Sequence, residues 1–345
     1  MIRLKVLGIA IMLLMTFFVA WYWPVYSEMQ AMKVANYEQG AHKGSLYCAQ
    51  CHRGIYDEWS NNSLHAVATT GGSFKDYLEK FKDNYLLNTF VTDEVCYACH
   101  GVKASTEGVN CEICHGTVVA NVPIMETHKI KYKPGLKELR KKDFCAKCHD
   151  LRSPLSHDDI FSVQSEWRNS EAASKGETCL SCHMKKRFNG LSYHGFDSAH
   201  RDVTIYKDDV RLQNAKLDYP RFTLEIENSL TGHAMPPSGP TRIMVLEIIF
   251  LNMNGEEQYR VQETYGKKFN LMPIAGLFPN SLIKNTQLQS GELRILSLTL
   301  PASMEGKISK AVATLKFYGV SDEHQGDIKR AHWVSKPILT EEFTL

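Results

Sequence analysis

Net charge is nearly absent from this chain: 40 Lys+Arg against 38 Asp+Glu leave a formal +2 over 345 residues. With no basic stretch interleaved with aromatics, that balance argues against nucleic acid as a partner. No cysteine follows Cys182, and no long helical period appears after Lys207. The last part of the chain therefore has no thiol chemistry and does not read as helical. Apolar residues make up 43%, as in ordinary globular proteins.

Nor is any cysteine left over. The ten fall as Cys48-x-x-Cys51-His52, Cys96-x-x-Cys99-His100, Cys111-x-x-Cys114-His115, Cys145-x-x-Cys148-His149 and Cys179-x-x-Cys182-His183. In Cys-x-x-Cys-His, two thiols add to the two vinyl groups of one haem, and the histidine is held beneath the iron as its proximal ligand. Zinc sites need two Cys-x-x-Cys pairs for each tetrahedral ion, and five pairs is an odd number. Thioredoxin-like motifs occur singly, and disulfide frameworks show no such fixed repeat. The expected cofactor is five covalently bound haem c groups.

Five haems share residues 28–205, too little polypeptide to enclose each in a core of its own. They are expected to pack against one another, with sparse regular structure, short helices and loops.

Each iron also needs a sixth ligand or stays open. Nine histidines lie outside the motifs. His65, His128 and His194 stand between or just after motifs in polar stretches and are the foremost distal candidates. His200, His233 and His157 follow, whereas His42, His324 and His332 read as ordinary histidines. Met235 is a weaker alternative, and a methionine ligand would raise the potential of its iron. Histidine on both sides leaves potentials low.

The chain begins with Arg3 and Lys5 and then runs uncharged from Val6 to Val25, with Glu28 beyond. Twenty helical residues span about 30 Å, enough for a bilayer core. The flanking charges put the start of the chain in the cytoplasm and the rest outside, with Trp21, Tyr22 and Trp23 at the outer interface. A cleaved signal peptide is the competing reading, but a small-x-small cleavage site is missing. Either reading exports the remainder.

After Lys207 the pattern becomes strand-like. Phe222 to Glu227 alternates apolar and polar, and Met244 to Leu251 is a dense apolar run. Asn254-Gly255 reads as a hairpin turn into Gln258 to Val261, with further strands at Leu293 to Leu300 and Ala311 to Val320. The fold class expected is α+β and multidomain. It comprises a transmembrane anchor or signal peptide (1–27), a mainly helical and irregular multihaem domain (28–205), and a C-terminal β-sandwich (206–345).

The haem region resembles the multihaem cytochrome c554 family, relatives of the hydroxylamine oxidoreductase group. The resemblance rests on Tyr56-x-x-Trp59 with Ser63-Leu64-His65-Ala66, on Gly108 to Gly116 with the later His128, and on Glu166-Trp167-x-x-Ser170. Cys182-His183-Met184 and the pair His194 and His200 complete it. It implies that His65, His128 and His194 serve as distal ligands. The named relative carries four haems, so a fifth motif sets this chain in a broader group. The stretch Gly232-His233-x-x-Pro236-x-x-Gly239 resembles a loop of related cytochromes in which a β-domain histidine reaches back to an iron.

These features point to a membrane-anchored electron relay between a membrane or periplasmic donor and another redox protein. The expected location is the cell membrane, by a single pass, with the haem and β domains on the periplasmic side. Two other classes compete. A redox enzyme acting on a small nitrogen or sulfur compound needs an iron with an open axial site. Ammonia-forming nitrite reductases also carry five haems, but their active-site motif ends in Lys, whereas all five motifs here end in His. A subunit of a multihaem assembly, homo- or hetero-oligomeric, is the third class.

Overall fold

The computed structural model describes residues 12, 15–16, 44–66, 68, 99–101, 107–115, 144–153, 156–196, 206, 208–229, 231–237, 242–271, 279–318 and 336–345. Among these, no helix is long and apolar enough to cross a membrane. The Val6 to Val25 run lies outside the described residues, apart from Met12, Met15 and Thr16.

The haem region is built of short elements. Helix α1 (Ser45–Ala49) leads into the first motif and α2 (Arg53–Asn62) follows it. Helices α3 (Cys111–His115), α4 (Ala146–His149) and α7 (Cys179–His183) are themselves motifs, each little more than one turn. A single turn is unstable alone, and α3 and α7 carry side-chain caps. Asn110 Oδ1 accepts from the N–H groups of Glu112 and Ile113 at 3.1 and 3.2 Å, capping α3. Thr178 and Ser181 form a reciprocal capping box on α7.

Between the fourth and fifth motifs lie strands β1 (Asp150–Arg152) and β2 (Asp159–Ser162), paired antiparallel, then α5 (Val163–Arg168) and α6 (Glu171–Ser174). Asp150 caps α5 by accepting from the Gln164 N–H at 2.8 Å.

The second half is a β-sandwich, as the alternation predicts. Strands β3 (Val210–Asp218), β4 (Arg221–Asn228) and β8 (Leu293–Thr299) form a sheet in the order β3-β4-β8. Strands β5 (Ile243–Leu251), β6 (Glu257–Leu271), β7 (Pro279–Asn285), β9 (Lys310–Tyr318) and β10 (Lys336–Thr344) form a second, ordered β10-β9-β5-β6-β7. Every pairing is antiparallel.

Phe222, Leu224 and Ile226 of β4 face Met244, Leu246, Ile248 and Phe250 of β5, all fully buried. Phe222 and Phe250 meet edge to face at 4.9 Å. The expected turn at Asn254-Gly255 joins β5 to β6, and Gly255 takes φ 80°, a conformation few side chains tolerate.

The sandwich is stitched to the haem region through β2 and α5. The buried Lys267 of β6 donates to Ser162 Oγ at 2.7 Å and to the Asp159 carbonyl at 3.3 Å, and its ammonium lies 4.0 Å from Glu166. Leu282 of β7 donates its N–H to Asp158 Oδ2 at 2.7 Å.

Candidate haem-binding site

Three distal candidates stand opposite motif histidines. The rings of His65 and His149 have centroids 6.1 Å apart, those of His115 and His194 also 6.1 Å, and those of His183 and His233 6.3 Å. A metal–imidazole bond of about 2.0 Å, with about 1.1 Å from nitrogen to ring centre, sets two rings about 6.2 Å apart across one shared ion. All three spacings match.

The ring nitrogens agree with this. An imidazole ligates through one nitrogen while the other holds its orientation. Ser63 Oγ lies 3.3 Å from His65 Nδ1, and the Ser192 carbonyl lies 2.9 Å from His194 Nδ1. The Ala234 carbonyl lies 3.1 Å from His233 Nδ1. In each it is Nδ1 that is so engaged, which leaves Nε2 as the nitrogen that would ligate. His100 follows the same rule, with the Ala68 carbonyl 3.0 Å from its Nδ1.

Burial also holds these rings in the neutral form that a ligand requires. It pulls His65 and His233 down to about 4 and His149 to about 3, and it lowers His100, His115 and His194 as well.

Local structure explains how each distal histidine is placed. The His65 loop lies against the segment before the third motif: Val109 donates its N–H to the His65 carbonyl at 2.8 Å, and Trp59 Nε1 donates to the Val109 carbonyl at 3.1 Å. Gly108 sits at φ 64°, and a Cβ there would collide with the His65 carbonyl. Gly101, just after His100, abuts the Gly108 backbone equally closely. Glu58 of α2 accepts from the His194 N–H at 3.1 Å and pairs with Arg187.

The His233 loop is held from three sides. Glu166 Oε2 accepts from the Ala234 N–H at 3.0 Å, Asn228 Nδ2 donates to the His233 carbonyl at 3.1 Å, and Thr231 Oγ1 donates to the same carbonyl at 2.8 Å. Gly232 lets the loop close on Trp167, whose Cδ1 would lie 3.1 Å from an added Cβ.

The cysteines bring the motifs together. None of the nine described cysteines forms a disulfide. The thiols of Cys48 and Cys111, of Cys145 and Cys179, and of Cys148 and Cys99 lie near enough to perturb one another's ionisation, as do those of Cys114 and Cys148. The first motif thus adjoins the third, the third the fourth, and the fourth both the second and the fifth. This contiguity is what shared packing of the cofactors requires. The residues therefore fit haem: paired imidazoles at the spacing of one ion, oriented by their second nitrogens, beside thiols at the attachment positions. When bound, haem iron supplies one-electron exchange between its ferric and ferrous states.

Of the remaining predicted residues, His157 occupies the turn between β1 and β2 at φ 61°, its N–H donating to the Ser153 carbonyl at 2.9 Å. Cys96, His128 and His200 lie outside the described residues, as do His42, His324 and His332. Met235 is fully buried in the sandwich core and bridges Leu288 through its backbone, a packing role. Among the residues that orient the distal loops, Ser63 and Glu166 stand in stretches that carried the resemblance, without a role assigned to them, and Glu58 escaped the sequence reading.

Comparison with known proteins agrees with this geometry. Residues 47–116 match the family described as "Cytochrome c554 and c-prime". No curated protein matches. A penta-heme cytochrome c552 from Thermochromatium tepidum superposes with TM-score 0.65 at 18% identity, covering 88% of this chain and 98% of that one. That coverage exceeds what either the haem region or the sandwich supplies alone, so the two share an overall fold. A Pseudomonas fluorescens alkylpurine DNA glycosylase AlkC bound to DNA aligns at 7% identity over 39% of this chain and 30% of that one, and its TM-score of 0.17 carries no argument. The motifs, the facing imidazoles and the match over residues 47–116 agree with one another, and all three fit covalently bound haem c in the manner of a multihaem cytochrome.

Proposed function

We propose that the protein is a membrane-anchored pentahaem cytochrome that relays electrons between a membrane or periplasmic donor and another redox protein. The observation that carries this reading is the set of three facing imidazole pairs at 6.1, 6.1 and 6.3 Å. An iron ligated on both faces by histidine has no position for a substrate, so it exchanges electrons and does no bond chemistry. The five Cys-x-x-Cys-His motifs support the count of five, and the chain of motif contacts supports a continuous path.

The anchor is supported by the uncharged run Val6 to Val25 behind Arg3 and Lys5. Within it, Met12 and Met15 are helical and largely exposed, and Thr16 Oγ1 folds back onto the Met12 carbonyl at 2.9 Å, satisfying its hydroxyl within the helix. The region after residue 27 lies on the periplasmic side in this reading.

Three measurements on the full-length protein test it. Mass spectrometry should give the polypeptide plus five haems. After cell fractionation the protein should stay with membranes through an alkaline carbonate wash. The reduced protein should bind carbon monoxide slowly or not at all. Rapid and stoichiometric binding at one haem would overturn the closed relay in favour of an open, catalytic iron.

A further inference from the structure

Lys267 of β6 belongs to the sandwich but is buried against the haem region, its side chain only 3% exposed. Its ammonium donates to Ser162 Oγ at 2.7 Å and to the Asp159 carbonyl at 3.3 Å. Three carboxylates lie in its field, those of Glu166, Asp159 and Asp150. Two of them are engaged elsewhere. Asp159 pairs with Arg152 at 2.8 Å, and Asp150 accepts from the N–H groups of Gln164 and Ser165 and from Ser165 Oγ. Glu166, 12% exposed and 4.0 Å away, remains as the counter-ion.

Ser162 joins the two charges. A hydroxyl has one proton, and here its direction is set: Oγ accepts from Lys267 and donates to Glu166 Oε1 at 2.5 Å. The other oxygen of Glu166 accepts from the Ala234 N–H at 3.0 Å. His233 Nδ1 in turn lies 3.1 Å from the Ala234 carbonyl. One line of polar contacts therefore runs from an ammonium through a hydroxyl, a carboxylate and the backbone to an imidazole.

Breaking a buried ion pair by removing one partner leaves the other charge uncompensated, at a cost greater than the pair's own contribution. Without Lys267 the Glu166 carboxylate would keep only a hydroxyl and an amide as donors. It would turn toward water and release the Ala234 N–H. Resting on the reading in which His183 and His233 face one iron, we infer that Lys267 is a positioning residue of that site. It acts through Ser162 and Glu166, holding the carboxylate and with it the His233 loop in the geometry for ligation.

The test uses the full-length holoprotein, with haem content read by mass. The open fraction of each haem is read from its high-spin ferric signal and from carbon monoxide uptake when reduced. His233→Ala gives the fully open reference. Outer partners of a metal-bound histidine typically hold about 10–100-fold in affinity, so in Lys267→Met the open fraction of one haem should rise about tenfold. Adding Glu166→Gln to Lys267→Met should bring it back toward the wild type. The glutamine oxygen still accepts from Ala234, and its amide donates to Ser162 with no charge to balance. A residue that merely stabilises the fold would give neither result, since general loosening opens several haems and a second substitution does not reverse it.

In Lys267→Met with full haem content, spectra superimposable on the wild type would overturn the inference. So would the opening of several haems together, or a double variant no closer to the wild type than the single one. If Lys267→Met fails to accumulate, Ser162→Ala decides, because it keeps both charges and removes the hydroxyl between them. The same haem should open to a smaller extent, and an unchanged spectrum would overturn the inference. If His233→Ala itself leaves every spectrum unchanged, the ligand assignment falls and this inference with it. A haem opened by His233→Ala alone keeps the assignment and removes Lys267 from the site.

Discussion

The rings of His183 and His233 lie parallel to within 6° at a centroid separation of 6.3 Å, although one belongs to a Cys-x-x-Cys-His helix and the other to a loop of the β-sandwich. In the pentahaem reading the sandwich would supply the far face of the haem site at His183. Its loop is held by Glu166, Asn228 and Thr231, so contacts within the polypeptide fix the position of the ring.

Replacing His233 should open that site. His233→Ala is expected to convert one haem from low-spin to high-spin in the ferric absorption spectrum and to let its reduced form bind carbon monoxide. His233→Met should keep the haem low-spin and raise its potential. A spectrum identical to wild type in both variants would remove His233 from the ligand set.

The three imidazole pairs differ in twist. His183 and His233 are at 6°, His115 and His194 at 30°, and His65 and His149 at 89°. Aligned rings act on the same iron d orbital and split its energy from its partner, whereas crossed rings act on both and leave them nearly equal. Electron paramagnetic resonance of the oxidised protein should therefore contain an ordinary rhombic low-spin signal and a second, strongly anisotropic one. His65→Ala should delete the anisotropic signal and spare the rhombic one. Its survival would contradict the assignment of that pair.

Gly108 should tolerate no side chain. Its φ of 64° and the proximity of the His65 carbonyl add backbone strain to a steric collision. Gly108→Ala is expected to lower stability by roughly 3 kcal/mol in denaturant titration and to disturb the haem that His65 ligates. By contrast, Gly176, around which an added Cβ meets nothing within 4 Å, should accept alanine with a much smaller loss, arising from its φ of 82° alone.

The sandwich carries its own acid sensitivity. Glu247 accepts from Lys316 at 2.7 Å, from Gln262 at 2.8 Å and from Arg260 at 2.9 Å, and these partners, Lys316 foremost, hold its carboxyl down to about 2. An unfolded glutamate titrates near about 4.3. The contribution of Glu247 is therefore fully present above that value and is lost as pH falls toward about 2. Glu247→Gln should cost roughly 1–2 kcal/mol at neutral pH, with the gap in thermal midpoint closing as the buffer is taken from pH 5 to pH 2.5. Parallel curves across that window would rule the carboxylate out as the acid-sensitive group.

What could be read from the chain, and what could not, divides by range. Cys-x-x-Cys-His is a local pattern, and β4, β5, β8 and β9 announce themselves through alternation or apolar density. His65, His194 and His233 were picked out by position, but their partners were not. His65 faces His149 rather than the nearer His52, because partnership depends on how distant segments fold together. Strand β3 escaped notice since its pattern breaks at Asn214, where φ is 53° and the register with β4 shifts.

The Glu166–Ala234 contact has a consequence for how the protein matures. The thiols of the fifth motif precede the sandwich in the chain and are ready for attachment as soon as they emerge. The imidazole across from His183 arrives only when the strands on either side of residue 233 have folded and Glu166 has caught their loop. With haem held here by Cys179, Cys182 and His183, covalent loading and final coordination by His233 would be separate events. A turn of its spectrum to low-spin would report that the strands flanking residue 233 have folded and docked on Glu166.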